Sequence, residues 1–178
     1  MPYSTDRKNS PEGPSEIIGT PVFYEGRVYV AIGQSPLHGI GQGQLCCIDA
    51  ATGTKIWSSG LVDRTLATAA IANGLLYIPD YTGNLHCFDA ITGERCWTHP
   101  LGAKGWSASS FVADGKVYAS TEADMLWVLK AGREREVLSK TRLKSTAATL
   151  TAADGVLYVP TQKSLLALQG TSARNSGH

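Results

Sequence analysis

The sequence predicts an all-β chain assembled from four copies of a small antiparallel sheet, and three observations predict it. One phrase recurs four times: an apolar pair, a turn ending in glycine, then an apolar strand with tyrosine three residues beyond that glycine. Its glycines are Gly26, Gly74, Gly115 and Gly155, and its tyrosines Tyr29, Tyr77, Tyr118 and Tyr158. The glycine spacings of 48, 41 and 40 residues set a period near 40, the scale of supersecondary repetition. A second phrase keeps that period: Cys47-Ile48-Asp49-Ala50-Ala51-Thr52-Gly53 with Trp57 four residues on, and Cys87-Phe88-Asp89-Ala90-Ile91-Thr92-Gly93 with Trp97 four residues on. Finally, the apolar runs are short and rich in Tyr, Val, Ile and Trp, as strands on a half-buried pleated surface require.

In the first repeat the strands fall on Thr20–Tyr24, Arg27–Ile32, Leu45–Asp49 and Lys55–Trp57, each bounded by Gly, Asp, Asn or Thr. Glu25-Gly26, Asn73-Gly74, Asp114-Gly115 and Asp154-Gly155 place glycine where a tight hairpin needs positive φ. Asp49 and Asp89, each followed by Thr-Gly, are suited to cap the next turn through backbone N–H groups, with Gly53 and Gly93 taking the left-handed conformation. Each repeat therefore reads as a four-stranded antiparallel meander with its tyrosine in the blade core. A single such sheet cannot bury both faces, and radial packing of one sheet per period makes a β-propeller. The third copy is degraded, with Leu129-Lys130-Ala131-Gly132 in place of the turn, and the fourth stops at Leu166-Ala167-Leu168-Gln169. Residues 133–154 lack Gly and Pro, and Arg133–Leu138 has a composition that suits a helix, but the repeat register assigns strands there. The division that follows is an extended N-terminal segment (1–17), four blades forming a partial propeller (18–170) and a flexible tail (171–178).

Composition narrows the function. The 178 residues make about one domain. A net charge of +1 with only 17% charged residues gives no broad footprint for nucleic acid or phosphate. The 43% hydrophobic content excludes a disordered chain, and no apolar run is long enough to span a membrane. The first ten residues hold no apolar stretch that could serve as a signal peptide, so a native start there implies a cytoplasmic protein.

The stretches Ile48–Trp57 and Phe88–Trp97 resemble the tryptophan-docking motif of the quinoprotein, or pyrroloquinoline quinone (PQQ), β-propellers, and the resemblance runs from Ile18 to about Gln169. Gly13–Ile18, Thr20–Tyr24 and His38–Gly43 look more narrowly like the C-terminal half of PQQ-binding-like repeat proteins of the planctomycete type. The resemblance implies that Trp57 and Trp97 pack across blade boundaries. The third blade offers only an aliphatic residue near Val137, so that boundary is expected to be weaker. Enzymatic members form eight-bladed rings, so four repeats imply a fragment, a split propeller or self-association. The family also implies a periplasmic or envelope location. Some members are dehydrogenases holding the quinone and Ca²⁺ in the central funnel; others, in the outer-membrane barrel assembly machine, are scaffolds without the cofactor.

Candidate chemistry is sparse. Adjacent cysteines form a quinone-stacking disulfide in dehydrogenases resembling this chain, but Cys46 and Cys47 lie within one strand, where neighbouring side chains point to opposite faces, and a buried core thiol is the simpler reading. No C-x-x-C spacing marks a zinc site. His38, in a glycine-rich insertion spanning Gly33–Gly43, reads as a solvated loop residue, with a ligand or metal contact as the alternative. His86 is placed on an outer or interface face and His99 in a loop between blades, neither with a partner that suggests a catalytic triad. The links between blades carry Arg64, Lys104 and Lys144 at 40-residue intervals, with Trp106 beside the second; a cationic rim there could bind carboxylates, or the charges are merely solvated. No convergent Glu, Asn and Asp set is visible for calcium. The expected function is a non-catalytic binding or scaffold module with a protein partner or a second copy and no cofactor; the alternative is part of a PQQ-dependent dehydrogenase using PQQ and calcium.

Overall fold

Pairing starts at the hairpin turns. Glu25, Asn73, Asp114 and Asp154 take φ of 48–50°, and each is followed by a glycine at φ 66–75°. Two successive left-handed residues give the two-residue turn whose twist matches the strands it joins. The computed structural model describes residues 15–34, 43–104 and 108–169, which form sixteen strands and no helix. The first sheet holds β1 (Ser15–Glu16), β2 (Val22–Tyr24), β3 (Arg27–Gln34), β4 (Gln44–Asp49) and β5 (Lys55–Ser59). The second holds β6 (Ala70–Ala72), β7 (Leu75–Pro79), β8 (Asn84–Asp89) and β9 (Arg95–Pro100). The third holds β10 (Phe111–Ala113), β11 (Lys116–Ser120), β12 (Met125–Lys130) and β13 (Val137–Arg142), so the helix-compatible run splits, with residues 133–136 in the turn and Val137 and Leu138 in a strand. The fourth holds β14 (Thr151–Ala153), β15 (Val156–Pro160) and β16 (Leu165–Gln169), three strands among the described residues.

Every sheet is an antiparallel meander in chain order, and β1 adds to the far end of β3 by pairing Ser15 with Gln34 and Glu16 with Gly33. The short first strands share an inner edge, where β6 touches both β2 and β10. Backbone-to-hydroxyl bonds run along that edge: Thr20 N donates to Thr68 Oγ1 (3.0 Å) and Thr68 N to Ser109 Oγ (2.9 Å). The sheets thus fan outward from a common axis as blades of a partial β-propeller.

The period-2 alternation of a strand divides the core between neighbours. On β7, Leu76 and Ile78 pack toward the first blade with Tyr29, Leu45, Cys47 and Phe88, while Leu75 and Tyr77 pack toward the third with Cys87, Trp97, Val117 and Trp127. All five β7 residues are consequently buried, whereas β15 between the third blade and the open end is mostly half-buried. Tyr29 and Tyr77 are 2% and 0% exposed, but Tyr118 and Tyr158, expected in the core by the repeat, are only half-buried.

Indoles cross the first two boundaries. Trp57, opposite Cys47, donates Nε1–H to Ala90 O of the second blade (3.1 Å), which also accepts from Tyr29 Oη (3.0 Å). The Trp57 ring lies against Gly93: a Cβ there would sit 2.6 Å from the ring, and φ is +76°. Trp97, opposite Cys87, donates to Gly132 O of the third blade (2.9 Å). The same bulge follows Cys47, Cys87 and Val128, but the turn between Leu129 and its partner Val137 is one residue longer than its counterparts, so the residue opposite Val128, and thus the position equivalent to the two tryptophans, is Ser139 rather than Val137. Val137 is exposed and pairs with Leu129 beyond the bulge. Trp97→Ala should cost about 3–5 kcal/mol, as loss of a large buried aromatic; denaturant unfolding with an unchanged midpoint would remove Trp97 from the boundary.

Candidate functional site

The fan has two rims. On one lie the turns that join first to second and third to fourth strands, stitched together by Ala50 N to Gly26 O, Ala90 N to Gly74 O and Ala131 N to Gly115 O. Asp49 Oδ1 accepts from Ala51 N, Thr52 N and Thr52 Oγ1 at 2.8–3.0 Å, and Asp89 Oδ1 accepts from Ile91 N and Thr92 N at 2.8 Å. Gly53 and Gly93 close these turns at φ +71° and +76°. The Thr52 amide above all, with the Thr52 hydroxyl, draws the Asp49 carboxyl below its usual range; the Thr92 amide, opposed by burial, does the same for Asp89, helped by Arg133 of the next blade. This rim is built for turn geometry.

On the opposite rim lie the loops joining second to third strands and the links that carry the chain from one blade to the next. The basic residues singled out by the repeat are on those links, and the structure separates them. Arg64 is only 5% exposed and stacks its guanidinium on the Tyr81 ring at 4.0 Å. It therefore does not belong to an open cationic rim: the link is clamped between blades, its backbone so close to Gly33 and Gly43 that a Cβ at either would meet Arg64 Cα at 2.7 Å or Asp63 O at 2.2 Å. Lys104 and Lys144 are exposed. His38 and Trp106 lie outside the described residues.

Between these links and the loops of the third and fourth blades opens a cavity of about 430 Å³, with Ser109, Thr121, Glu122, Thr146, Thr149 and Gln162 in its wall. Ile18, Leu66 and three alanines complete the wall, so hydroxyls, one amide and one carboxylate are set among apolar side chains. Thr121 Oγ1 is buried without a hydrogen-bond partner, as are Ser110 Oγ and Ser145 Oγ, which neighbour the wall residues Ser109 and Thr146. Buried hydroxyls left this way are uncommon and mark places able to accept a polar guest.

Two histidines correct the sequence reading. His99 is not in a loop: it is in β9, 6% exposed, with its ring edge-on to Trp127 at 4.6 Å and both nitrogens unbonded. His86 does have an acidic partner. Its Nε2 lies 2.8 Å from Asp80 Oδ2 and its Nδ1 3.0 Å from Thr98 Oγ1, a Thr–His–Asp line. Folding the hairpin around Asp80-Tyr81-Thr82-Gly83-Asn84 would have exposed this pairing, because β8 brings His86 back beside Asp80. Both ionisable groups are buried at 2–3% exposure. Asp80 also accepts from Thr82 N, Thr82 Oγ1, Asn84 N and Asp63 N, so its oxygens are consumed in fixing the loop and the incoming link. Burial opposes its ionisation, but the bonds from His86 and Thr82 prevail and hold it below the usual carboxylate range. The line is a structural clamp.

Burial first, then the charges of Arg135 and Lys140, press the His99 imidazole below its ordinary value. Its folded pKa is depressed, so its contribution to stability is fully present above the unfolded value of about 6.5 and is lost as pH falls through the folded pKa. Melting temperature should drop on acidification from pH 7.5 to 5, and His99→Phe should drop less; equal losses would show that His99 carries none of the pH dependence.

Comparison with known proteins gives a consistent picture. A family model described as outer membrane protein assembly factor BamB matches residues 7–101 and 41–175. Among solved structures, BamB from Moraxella catarrhalis is similar at 17% identity and TM-score 0.68, over 86% of this chain and 43% of that one. The computationally designed Ika4 protein matches at 14% identity and TM-score 0.67, over 90% of this chain and 95% of that one. Quinohemoprotein alcohol dehydrogenase from Comamonas testosteroni matches at 18% identity and TM-score 0.64, over 82% of this chain and 29% of that one. The chain therefore spans less than half the length of the natural propellers it resembles. No curated protein matches it.

Proposed function

The chain belongs to the PQQ-like β-propeller repeat family whose model is described as outer membrane protein assembly factor BamB, and from that premise we propose that it is a non-catalytic binding module that holds a polypeptide partner on its loop rim in the bacterial envelope. Trp57 and Trp97 act as the docking residues that keep its blades in register, and Asp49, Gly53, Asp89 and Gly93 set the turns they dock on. The observation that carries the reading is the composition of the loop-rim cavity: hydroxyls, one amide and a single carboxylate set among Ile18, Leu66 and alanines, with exposed Lys104 and Lys144 on the links. Such a surface offers hydrogen bonds to peptide groups and charge to acidic side chains.

Pyrroloquinoline quinone and calcium, the groups of the dehydrogenase reading, do not fit the described residues. No three of His, Cys, Asp and Glu converge among them, and Glu122 is the one carboxylate in the cavity wall. Calcium takes six to eight oxygens, several of them carboxylate. Cys46 and Cys47 are free thiols facing opposite ways, with Cys47 fully buried in the blade core.

The test places a photo-crosslinking residue at Lys104, Lys144 or, on the opposite rim, Thr52, in cells that express the chain. Adducts with an outer-membrane assembly component are expected from positions 104 and 144 and not from 52. Adducts from 52 alone would move the site to the turn rim. Retention of added quinone and calcium, with dye-linked oxidation of alcohols, would overturn the non-catalytic reading.

A further inference from the structure

The third blade boundary holds a cavity of about 570 Å³. Its wall includes Ala113, Lys116 and Tyr118 from the third blade and Ala152, Leu157 and Leu168 from the fourth. By strand register these stand where the first boundary has Tyr24, Arg27 and Tyr29, and Ile71, Leu76 and Phe88. The cavity is thus the first boundary with its large side chains trimmed: Tyr24 becomes Ala113, Ile71 becomes Ala152, Phe88 becomes Leu168, and Trp57 becomes Ser139.

What fits the space is visible one boundary back. There the Trp57 indole lies beside the Tyr29 ring at 6.0 Å, within the cluster that includes Leu76 and Phe88. At the third boundary the tyrosine and the leucine are kept as Tyr118 and Leu157, while the indole and its flanking Tyr24 are gone. The remaining wall sets Tyr118 against aliphatic side chains, and the Lys116–Asp114 ion pair (2.5 Å) and Gln169 line its exposed side. Its volume falls in the range of small-molecule sites, about 300–1,000 Å³, and its balance of apolar wall with few polar groups is that of such sites.

We propose that this cavity binds a planar bicyclic aromatic group of indole type, taking from outside the ring that the neighbouring blade supplies at the first two boundaries. Offset or edge-on contact with Tyr118 orients the ring, and Leu157 and Leu168 cover it. The ring can arrive as a small molecule or as a tryptophan of another polypeptide; the chemistry recognised is the same.

Fluorine NMR of 5-fluoroindole and of a short peptide carrying 5-fluorotryptophan, each titrated into the full chain, separates these sources. Saturable broadening is expected for at least one probe, with the free ring binding alone if the ligand is a small molecule and the peptide binding more tightly if it is protein-borne. Ser139→Trp, which supplies the ring from within, should weaken binding at least tenfold and raise the melting temperature. Ala113→Tyr, which fills the space from the other side, should also weaken it and guards against a misfolded Ser139 variant. A fluorinated cyclohexane of similar size should not compete. Absence of saturable binding by both probes, or binding that survives both substitutions, overturns the proposal.

Discussion

A four-stranded sheet with two apolar faces cannot stand alone in water, and everything in this molecule follows from how each blade covers its neighbour. The solution repeats at the first two boundaries. An indole on the outermost strand reaches across, stacks on the next blade and gives its N–H to a backbone carbonyl, Ala90 O or Gly132 O. The apolar ring is buried and its one donor is satisfied, so the contact combines packing with polar satisfaction. Gly93 is held to glycine twice over, by its positive φ and by the ring lying where a Cβ would be. The second blade, covered on both sides, is the most completely buried; the outer faces of the first and fourth leave Phe23 67% and Leu165 64% exposed.

The architecture was legible in the sequence because the signals it depends on are local. A left-handed Asp-Gly or Asn-Gly pair, a short apolar strand and an Asp-x-x-Thr-Gly turn each sit within a few residues, and a 40-residue period strings them together. What was less legible depends on register and on tertiary neighbours. One extra residue in the turn between Leu129 and Val137 puts the docking position at Ser139 rather than near Val137. Arg64 looked like a surface charge because its spacing matches Lys104 and Lys144, but close backbone packing by Gly33 and Gly43 draws its link into the interior. The Asp80–His86 pair spans a hairpin whose pairing has to be folded before the two residues meet.

Trimming at the third boundary and the polarity of the loop rim point the same way. At the third boundary small side chains line a cavity; where links and loops meet, hydroxyls are buried without partners. Among the described residues no three of His, Cys, Asp and Glu converge at either place.

The account stands on boundaries held one pair at a time by an indole. Native-state hydrogen exchange on the Trp57→Phe chain, which keeps a ring but loses the donor to Ala90 O, tests this most directly. The opening free energy of β3 and β4 should fall while that of β11 and β12 is unchanged. A uniform fall across all four sheets, or none in any, would contradict it.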